Sequence, residues 1–127
     1  MKRMLVAAMA MCGGLNSSVF ADTNVAIGEQ FDVLAGETFV NPDLFNNQGT
    51  TNNQGYFFNE GMFYNRSSGV LNNSSYFWNS GTLDNSGQIN FQYFSTITVH
   101  QNGQLLNSGS ISADGFHIGE ISEDHTS

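Results

Sequence analysis

Glycine, an apolar residue and asparagine recur every six residues between residues 37 and 120. Clear copies read GYFFNE, GTLDNS and GQLLNS, so the third position of the repeat is apolar and the fifth is asparagine. A six-residue period does not stay on one face of a helix, whose side chains repeat every 3.6 residues. It fits a short strand followed by a corner, with one apolar side chain facing inward and its two neighbours facing outward. The inward position holds Phe39, Phe45, Phe57, Phe63, Leu71, Phe77, Leu83, Ile89, Leu105 and Ile111.

Asparagine at the fifth position indicates how the copies are held together. One six-residue unit buries a single side chain and cannot fold alone, whereas stacked units bury a continuous column. Identical asparagine side chains that lie one strand spacing apart can hydrogen-bond to one another and form a ladder at an inward corner. We therefore predict an all-β fold, a parallel β-helix (β-solenoid), with a structural asparagine ladder. The ladder positions are Asn41, Asn47, Asn53, Asn59, Asn65, Asn73, Asn79, Asn85 and Asn107.

The spacing of Tyr-Phe pairs indicates how many units form one coil. The pairs Tyr56-Phe57, Tyr76-Phe77 and Tyr93-Phe94 follow one another after 20 and 17 residues, which is close to three units. We expect three units per coil, and a flatter coil of two units is the alternative. Ser67 and Ser68 are a two-residue insertion, after which the repeat resumes. The repeat by itself leaves the handedness of the coil open.

The first 21 residues have the pattern of a secretory signal peptide. Two basic residues precede an apolar run at residues 4–12, and Val19-Phe20-Ala21 fits cleavage after Ala21. The apolar run is far shorter than the ~20 residues that a membrane-spanning helix needs. A lipoprotein signal would use Cys12, but Met11 stands where such signals have a small residue. We predict a secreted or cell-surface protein whose mature chain does not insert into a membrane.

The rest of the chain is expected to form one small domain with three parts. Residues 22–36 lack the six-residue phrase but keep alternating apolar and polar side chains, which predicts an N-terminal cap over the first coil. Residues 37–120 carry the solenoid repeats, and residues 121–127 form a polar tail. About 106 residues remain after the signal peptide, which is enough for a single domain.

Without its signal peptide the chain is strongly acidic. Arg66 is then the one basic residue against 11 acidic residues, so the formal net charge is −10, and no cysteine remains. Clusters of lysine and arginine bind nucleic acids and anionic membranes, so neither is an expected partner. Because no disulfide can form, stacking of the coils must hold the fold together.

Outward-facing aromatic residues are the main candidate for a binding surface. With three units per coil, Tyr56 and Phe58 are expected directly below Tyr76 and Trp78. Such a strip can stack on sugar rings or be buried against a protein partner or a second copy of the chain. Cross-strand pairing that only stabilises the sheet is the structural alternative. The candidate ligand-binding residues are Tyr56, Phe58, Tyr64, Tyr76 and Trp78.

The sequence indicates neither an enzyme nor a cofactor. Its carboxylates are scattered and Arg66 stands alone, whereas acid–base chemistry needs clustered groups. No Gly-x-Ser-x-Gly motif and no calcium-binding nonapeptide are present. The histidines are not at metal-ligand spacing, so no metal site is expected, including at His117, Glu120 and His125. The single Thr-x-Thr sequence, at residues 96–98, is too short for an ice-binding array.

The phrases GTLDNSGQIN and GQLLNSGSISADG resemble the Gly-x-Leu-x-Asn-x-Gly repeats of filamentous-haemagglutinin-type and autotransporter-like secreted proteins. The resemblance covers roughly residues 49–115 and implies a right-handed parallel β-helix and a role as a bacterial cell-surface adhesin. It is a likeness of repeats, so it assigns no functional residue. The chain departs from that family in its length and in its high phenylalanine content.

The sequence therefore predicts a non-catalytic structural or adhesive β-solenoid that presents an outward strip of aromatic and asparagine residues for association. A small carbohydrate-binding module is the alternative. The scaffold is expected to associate end to end with further copies or with a longer surface protein, and the module is expected to bind glycans.

Overall fold

The computed structural model describes residues 3–5, 18–19, 22–92, 95–113 and 119–124. Within these ranges the chain forms short parallel strands joined by turns, and none of it is a helix long and apolar enough to cross a membrane. The strands are β1 (Arg3–Leu5), β2 (Ser18–Val19), β3 (Asp22–Val25), β4 (Gln30–Val33), β5 (Thr38–Asn41), β6 (Leu44–Asn47), β7 (Thr50–Asn53), β8 (Tyr56–Asn59), β9 (Met62–Asn65), β10 (Val70–Asn73), β11 (Tyr76–Asn79), β12 (Thr82–Asn85), β13 (Gln88–Phe91), β14 (Ser95–His100), β15 (Gln104–Asn107), β16 (Ser110–Ala113) and β17 (Gly119–Asp124).

Three parallel sheets are built from these strands, and successive strands pass from one sheet to the next. Sheet A has the order β1-β4-β7-β10-β13-β16, sheet B the order β2-β5-β8-β11-β14-β17, and sheet C the order β3-β6-β9-β12-β15. Each strand therefore pairs with the third strand along the chain, and one coil contains three strands. The prediction of a β-solenoid with three units per coil is confirmed, and the two-unit alternative is wrong.

A column of apolar side chains fills the space between the three sheets. The rings of Phe45 and Phe63, which belong to successive coils, stack with their centroids 4.6 Å apart. Aromatic pairs of this kind contribute about 0.5–1.5 kcal/mol beyond the burial of their area, so the phenylalanine column stabilises the stack strongly. At the C-terminal end of the column, Leu105 and Ile111 pack against the buried side chains but are themselves partly exposed. The fully buried apolar residues are Val25, Phe31, Val33, Phe39, Phe45, Phe57, Phe63, Leu71, Phe77, Leu83, Ile89 and Ile97.

Tight corners separate the strands, and glycine allows neighbouring coils to approach one another there. A Cβ atom added to Gly81 would collide with the backbone carbonyl oxygen of Gly61 in the preceding coil. Any larger residue at that corner would push the two coils apart. The insertion of Ser67 and Ser68 forms a turn between β9 and β10, and β10 still pairs in register with β7. The insertion thus lengthens one corner without shifting a strand.

Asparagine ladders run along all three inward corners, as the sequence predicts. In each ladder the Nδ2 group of one asparagine donates to the Oδ1 atom of the asparagine in the next coil, at 2.7–2.9 Å. The ladder members are Asn53 and Asn73 in sheet A, Asn41, Asn59 and Asn79 in sheet B, and Asn47, Asn65, Asn85 and Asn107 in sheet C.

Each buried asparagine also binds the backbone of the next coil. Asn59, for example, donates from Nδ2 to Oδ1 of Asn79 at 2.8 Å and to the carbonyl oxygen of Thr82 at 2.9 Å. One amide group therefore holds both a side chain and the main chain of the next coil. Leaving such a buried group without a partner costs about 1–3 kcal/mol, so the ladders select this spacing and register.

The ladder in sheet C differs at its two ends. Asn107 accepts from Nδ2 of Asn85 at 2.8 Å but is exposed, so it departs from the buried corner position expected of it. At the other end, Val25 lies in register with Asn47. The Oδ1 atom of Asn47 is buried and has no hydrogen-bond partner among the described residues, because the residue paired with it in the preceding coil is apolar.

Segments outside residues 37–120 also contribute strands to the sheets. Strands β3 and β4, within the expected cap at residues 22–36, pair in register with β6 and β7. Strand β17 pairs with β14 and extends into the expected tail at residues 121–127. Two short parts of the expected signal peptide, β1 and β2, pair with β4 and β5. The coil geometry therefore extends further along the chain than the six-residue phrase does.

Candidate functional site

The outer face of sheet B carries four aromatic side chains from two adjacent coils. In the pairing of β8 with β11, Tyr56 lies in register with Tyr76 and Phe58 lies in register with Trp78. This is the arrangement that the three-unit coil predicts. Alternation along each strand directs the intervening residues into the core and these four outward. We call Tyr56, Phe58, Tyr76 and Trp78 the aromatic strip.

The rings of the aromatic strip pack against one another as well as facing outward. The centroid of Tyr76 lies 6.3 Å from those of Tyr56 and Phe58, with the ring planes inclined by 59° and 62°. Tyr76 and Trp78 are 6.4 Å apart and inclined by 39°. Tyr56 is 48% exposed, and the other three rings are half-buried. Mutual packing thus holds the rings in place while leaving part of each accessible.

Tyr64 does not belong to the aromatic strip, although the sequence groups it with the other four candidates. It lies in β9, on sheet C, a different face of the solenoid. The guanidinium carbon of Arg66 lies 4.4 Å from the centroid of its ring, and the Nε group of Arg66 donates to Oδ1 of Asn46 at 2.6 Å. The cation–π contact gives Tyr64 a local structural partner.

His100 extends the ring surface into the next coil, which sequence reasoning missed. Its ring centroid lies 5.5 Å from that of Trp78, with the planes inclined by 36°. Its Nδ1 atom accepts from the backbone N–H of Asn102 at 3.4 Å, so in the neutral imidazole the proton is on Nε2. The three-unit coil could have revealed this contact. It pairs β11 with β14 and places Thr98 in register with Trp78, and His100 follows Thr98 by two residues on the same face.

Sheet A presents a polar outer face instead. Asn52 donates from Nδ2 to Oδ1 of Asp32 at 2.9 Å, Asn72 donates to Asn52 at 2.9 Å, and Asn90 donates to Asn72 at 3.0 Å. A carboxylate can only accept, so Asp32 fixes the direction in which all these amides point. Donors in this outer ladder point toward the preceding coil, opposite to the inner ladders. Sequence reasoning missed this second ladder. The structure places Asn72 on sheet A, a different face from the aromatic strip, so the expected strip of aromatic and asparagine residues side by side is wrong.

Charged residues are absent from the outward positions of sheet B between β5 and β14, whereas the neighbouring strand β17 brings Glu120 and Asp124 into register with Thr96 and His100. The outward residues of sheet B from β5 to β14 include no Asp, Glu, Lys or Arg, in a chain with a formal net charge of −8. Those residues are Thr38, Val40, Tyr56, Phe58, Tyr76, Trp78, Thr96, Thr98 and His100. Between β5 and β14 the face therefore combines aromatic rings, hydroxyl groups and an imidazole without a fixed charge.

No group of three or more His, Cys, Asp or Glu residues in the described ranges is placed to hold a metal ion. His117 and His125, considered as metal ligands on sequence grounds, lie outside the described residues. The aromatic rings of the strip are able to make stacking and apolar contacts. The arrangement is suited to binding.

Comparison of the chain with protein-family models gives no match, and comparisons with curated proteins and with solved structures give none either. The likeness of its repeats to those of filamentous-haemagglutinin-type proteins thus remains a resemblance, and no family is assigned on it.

Proposed function

We propose that this chain is a non-catalytic scaffold, secreted or held at the cell surface, whose aromatic strip makes adhesive contact with a partner. The observation that carries the proposal is a cluster of four uncharged aromatic side chains on β8 and β11 of a strongly acidic β-solenoid. Exposed clusters of aromatic residues mark interaction surfaces more often than isolated apolar residues do. The outward positions of β8 and β11 hold no carboxylate, so a partner can contact the strip itself without desolvating a fixed charge.

The scaffold supports this role because it holds the strip on regular strands. β8 and β11 are joined in register along their whole length, and Asn59 and Asn79 join their ends through the ladder at 2.8 Å. Side chains on packed strands keep their positions more accurately than side chains on loops. Little conformational entropy is then lost when a partner binds.

Export is supported by the signal-peptide pattern of the first 21 residues. The expected cleavage site, after Ala21, lies immediately before β3, which begins at Asp22. Cleavage there removes β1 and β2 and leaves every strand from β3 onward. Expressing the full chain in a bacterial host and measuring the intact mass of the exported product tests this. The expected N-terminus is Asp22, whereas retention of Met1 inside the cell would contradict export.

Adhesion is tested by retention of the purified protein on solid surfaces. Cellulose, chitin and starch serve as polysaccharide surfaces, and immobilised gelatin and albumin serve as protein surfaces. A Tyr56→Ser/Tyr76→Ser variant removes two rings from the strip, and a Met62→Ser/Leu106→Ser variant removes exposed apolar side chains from sheet C as a matched control. The proposal expects retention that falls severalfold in the strip variant only. Equal retention of all three proteins would overturn it.

A further inference from the structure

We propose that the partner of the aromatic strip is a neutral polysaccharide, and that His100 is part of its binding site. This inference rests on the proposed function and names the ligand class and one further binding residue. The ring run, which we define as Tyr76, Trp78 and His100, carries it. Its successive centroids lie 6.4 Å and 5.5 Å apart, and its successive planes are inclined by only 39° and 36°.

A sugar chain matches the chemistry of the ring run. The faces of a pyranose ring present C–H groups, which stack on aromatic rings, while its edge carries hydroxyl groups, which need hydrogen-bond partners. His100 offers both, because its ring continues the surface of Trp78 and its Nε2 carries the proton when Nδ1 accepts from Asn102. The ring run therefore offers apolar stacking surfaces along its length and a hydrogen-bond donor, the Nε2 group of His100, at its end.

The size of the surface favours a sugar chain over a folded protein. The four rings of the strip have roughly 150–250 Å² of surface each, and with Tyr56 about half exposed and the others less, roughly 300 Å² is accessible. A stable protein interface buries about 800 Å² on each partner. The strip supplies well under half of that, whereas one stretch of an extended polysaccharide needs only a narrow contact surface.

Charge restricts the class of polysaccharide. The formal net charge of −8 repels uronate and sulfate groups, and the described side chains on the sheet B face include no Lys or Arg to bind them. A neutral chain avoids this repulsion. The ligand is therefore expected to be an uncharged glucan, xylan or chitin-like polymer rather than an acidic one.

Trp78 is the only tryptophan of the chain, so its fluorescence reports directly on the proposed site. The purified protein is titrated with hexamers of cellulose, starch, xylan and chitin, with oligogalacturonate as the acidic comparison, by fluorescence and by isothermal titration calorimetry. We expect binding of at least one neutral hexamer and at least about tenfold weaker binding of oligogalacturonate, since charge repulsion opposes it.

Variants at residue 100 test the role of the histidine. His100→Ala should raise Kd at least about fivefold, the equivalent of one lost hydrogen bond. His100→Gln, which keeps an N–H donor but loses the ring, should recover part of that loss. Leu106→Ser on sheet C is the control and should leave Kd unchanged. Thermal unfolding of each variant confirms that the fold is intact. An unchanged Kd in His100→Ala overturns the assignment of this residue.

The remaining outcomes separate this inference from the proposed function. Binding of none of the neutral hexamers, while the Tyr56→Ser/Tyr76→Ser variant still loses retention on a protein surface, overturns the glycan assignment and leaves the adhesive scaffold standing. Association of the protein in sedimentation experiments without sugar, together with concentration-dependent burial of Trp78 in fluorescence, would identify a second copy as the partner. That result also overturns the glycan assignment. Preferred binding of oligogalacturonate overturns the restriction to neutral polymers.

Discussion

Two neighbouring asparagines in β10 allow the buried ladder to be tested with a single type of substitution. Asn73 is fully buried, and its Nδ2 group donates to the carbonyl oxygens of Ser75 at 3.2 Å and Thr96 at 3.1 Å. Its Oδ1 atom accepts from Asn53 at 2.9 Å. Aspartate has the same shape as asparagine but no donor when ionised. Asn73→Asp therefore keeps the bond from Asn53 and removes both donations.

The size of the effect follows mainly from the carbonyl oxygen of Thr96 and from the new charge, because the carbonyl oxygen of Ser75 still accepts from the backbone N–H of Thr96 at 3.0 Å. A buried acceptor left unpaired costs about 1–3 kcal/mol, and burying an ionised carboxylate adds to that, so Asn73→Asp should lower the free energy of unfolding by about 3 kcal/mol or more. Asn72, one residue earlier, is half-buried on the outer face and donates to Asn52 at 2.9 Å. Water can replace that bond, so Asn72→Asp should cost about 1 kcal/mol or less.

Urea denaturation followed by far-ultraviolet circular dichroism measures both variants against the parent chain. A shift of the midpoint with an unchanged slope reports a change in stability alone. The two substitutions make the same change in net charge in the same strand, so the difference between them isolates burial. Equal destabilisation by Asn72→Asp and Asn73→Asp would refute the conclusion that the inner ladder stabilises the stack through its buried amide donors.

Two further substitutions test packing in the same stack. Thr51 is buried in the apolar column with an unpaired hydroxyl among the described residues, so Thr51→Val should raise stability by roughly 1 kcal/mol, seen as a higher midpoint of thermal unfolding; a lower midpoint would contradict this. Gly81→Ala forces a methyl group against the carbonyl oxygen of Gly61 and should cost about 1–3 kcal/mol. Ser80→Ala, at the adjacent residue, is the control and should change urea stability less; an equal loss would count against the close approach of the coils.

Periodicity made most of the fold predictable. The inward column, the three-strand coil and the positions of the ladder all follow from a repeat of six residues and from the Tyr-Phe spacing. The register of Tyr56 with Tyr76 follows too, because three units bring every third strand to the same face. These features depend only on the period of the repeat, which can be read directly from a single sequence.

Features that depend on side-chain environment were less predictable. β3 and β4 lack the glycine and asparagine of the repeat, yet Val25, Phe31 and Val33 bury the same kind of column. Apolar alternation alone is sufficient for a strand once a neighbouring coil provides a partner. Asn107 has the consensus position but lies where the column begins to be exposed, so its phase in the repeat does not determine its burial.

The candidate site shows the same division. Phase in the repeat predicts the four members of the aromatic strip, but it also groups Tyr64 with them, because phase alone does not distinguish the three sheets. The contact of His100 with Trp78 joins residues in different coils, across an interval in which the repeat slips. The outer ladder of Asn52, Asn72 and Asn90 appears only after the coil period is applied to the fourth position.

Coil length has a consequence for how such a protein can grow. Ladder partners are separated by 18, 20 or 22 residues, and the corners absorb the difference. Duplicating a segment of DNA that encodes one coil would therefore add a rung to each ladder and lengthen the protein in a single genetic step. Gain or loss of one codon within a strand would instead turn every following side chain of that strand to the opposite face. The architecture thus accepts change in whole coils and at corners.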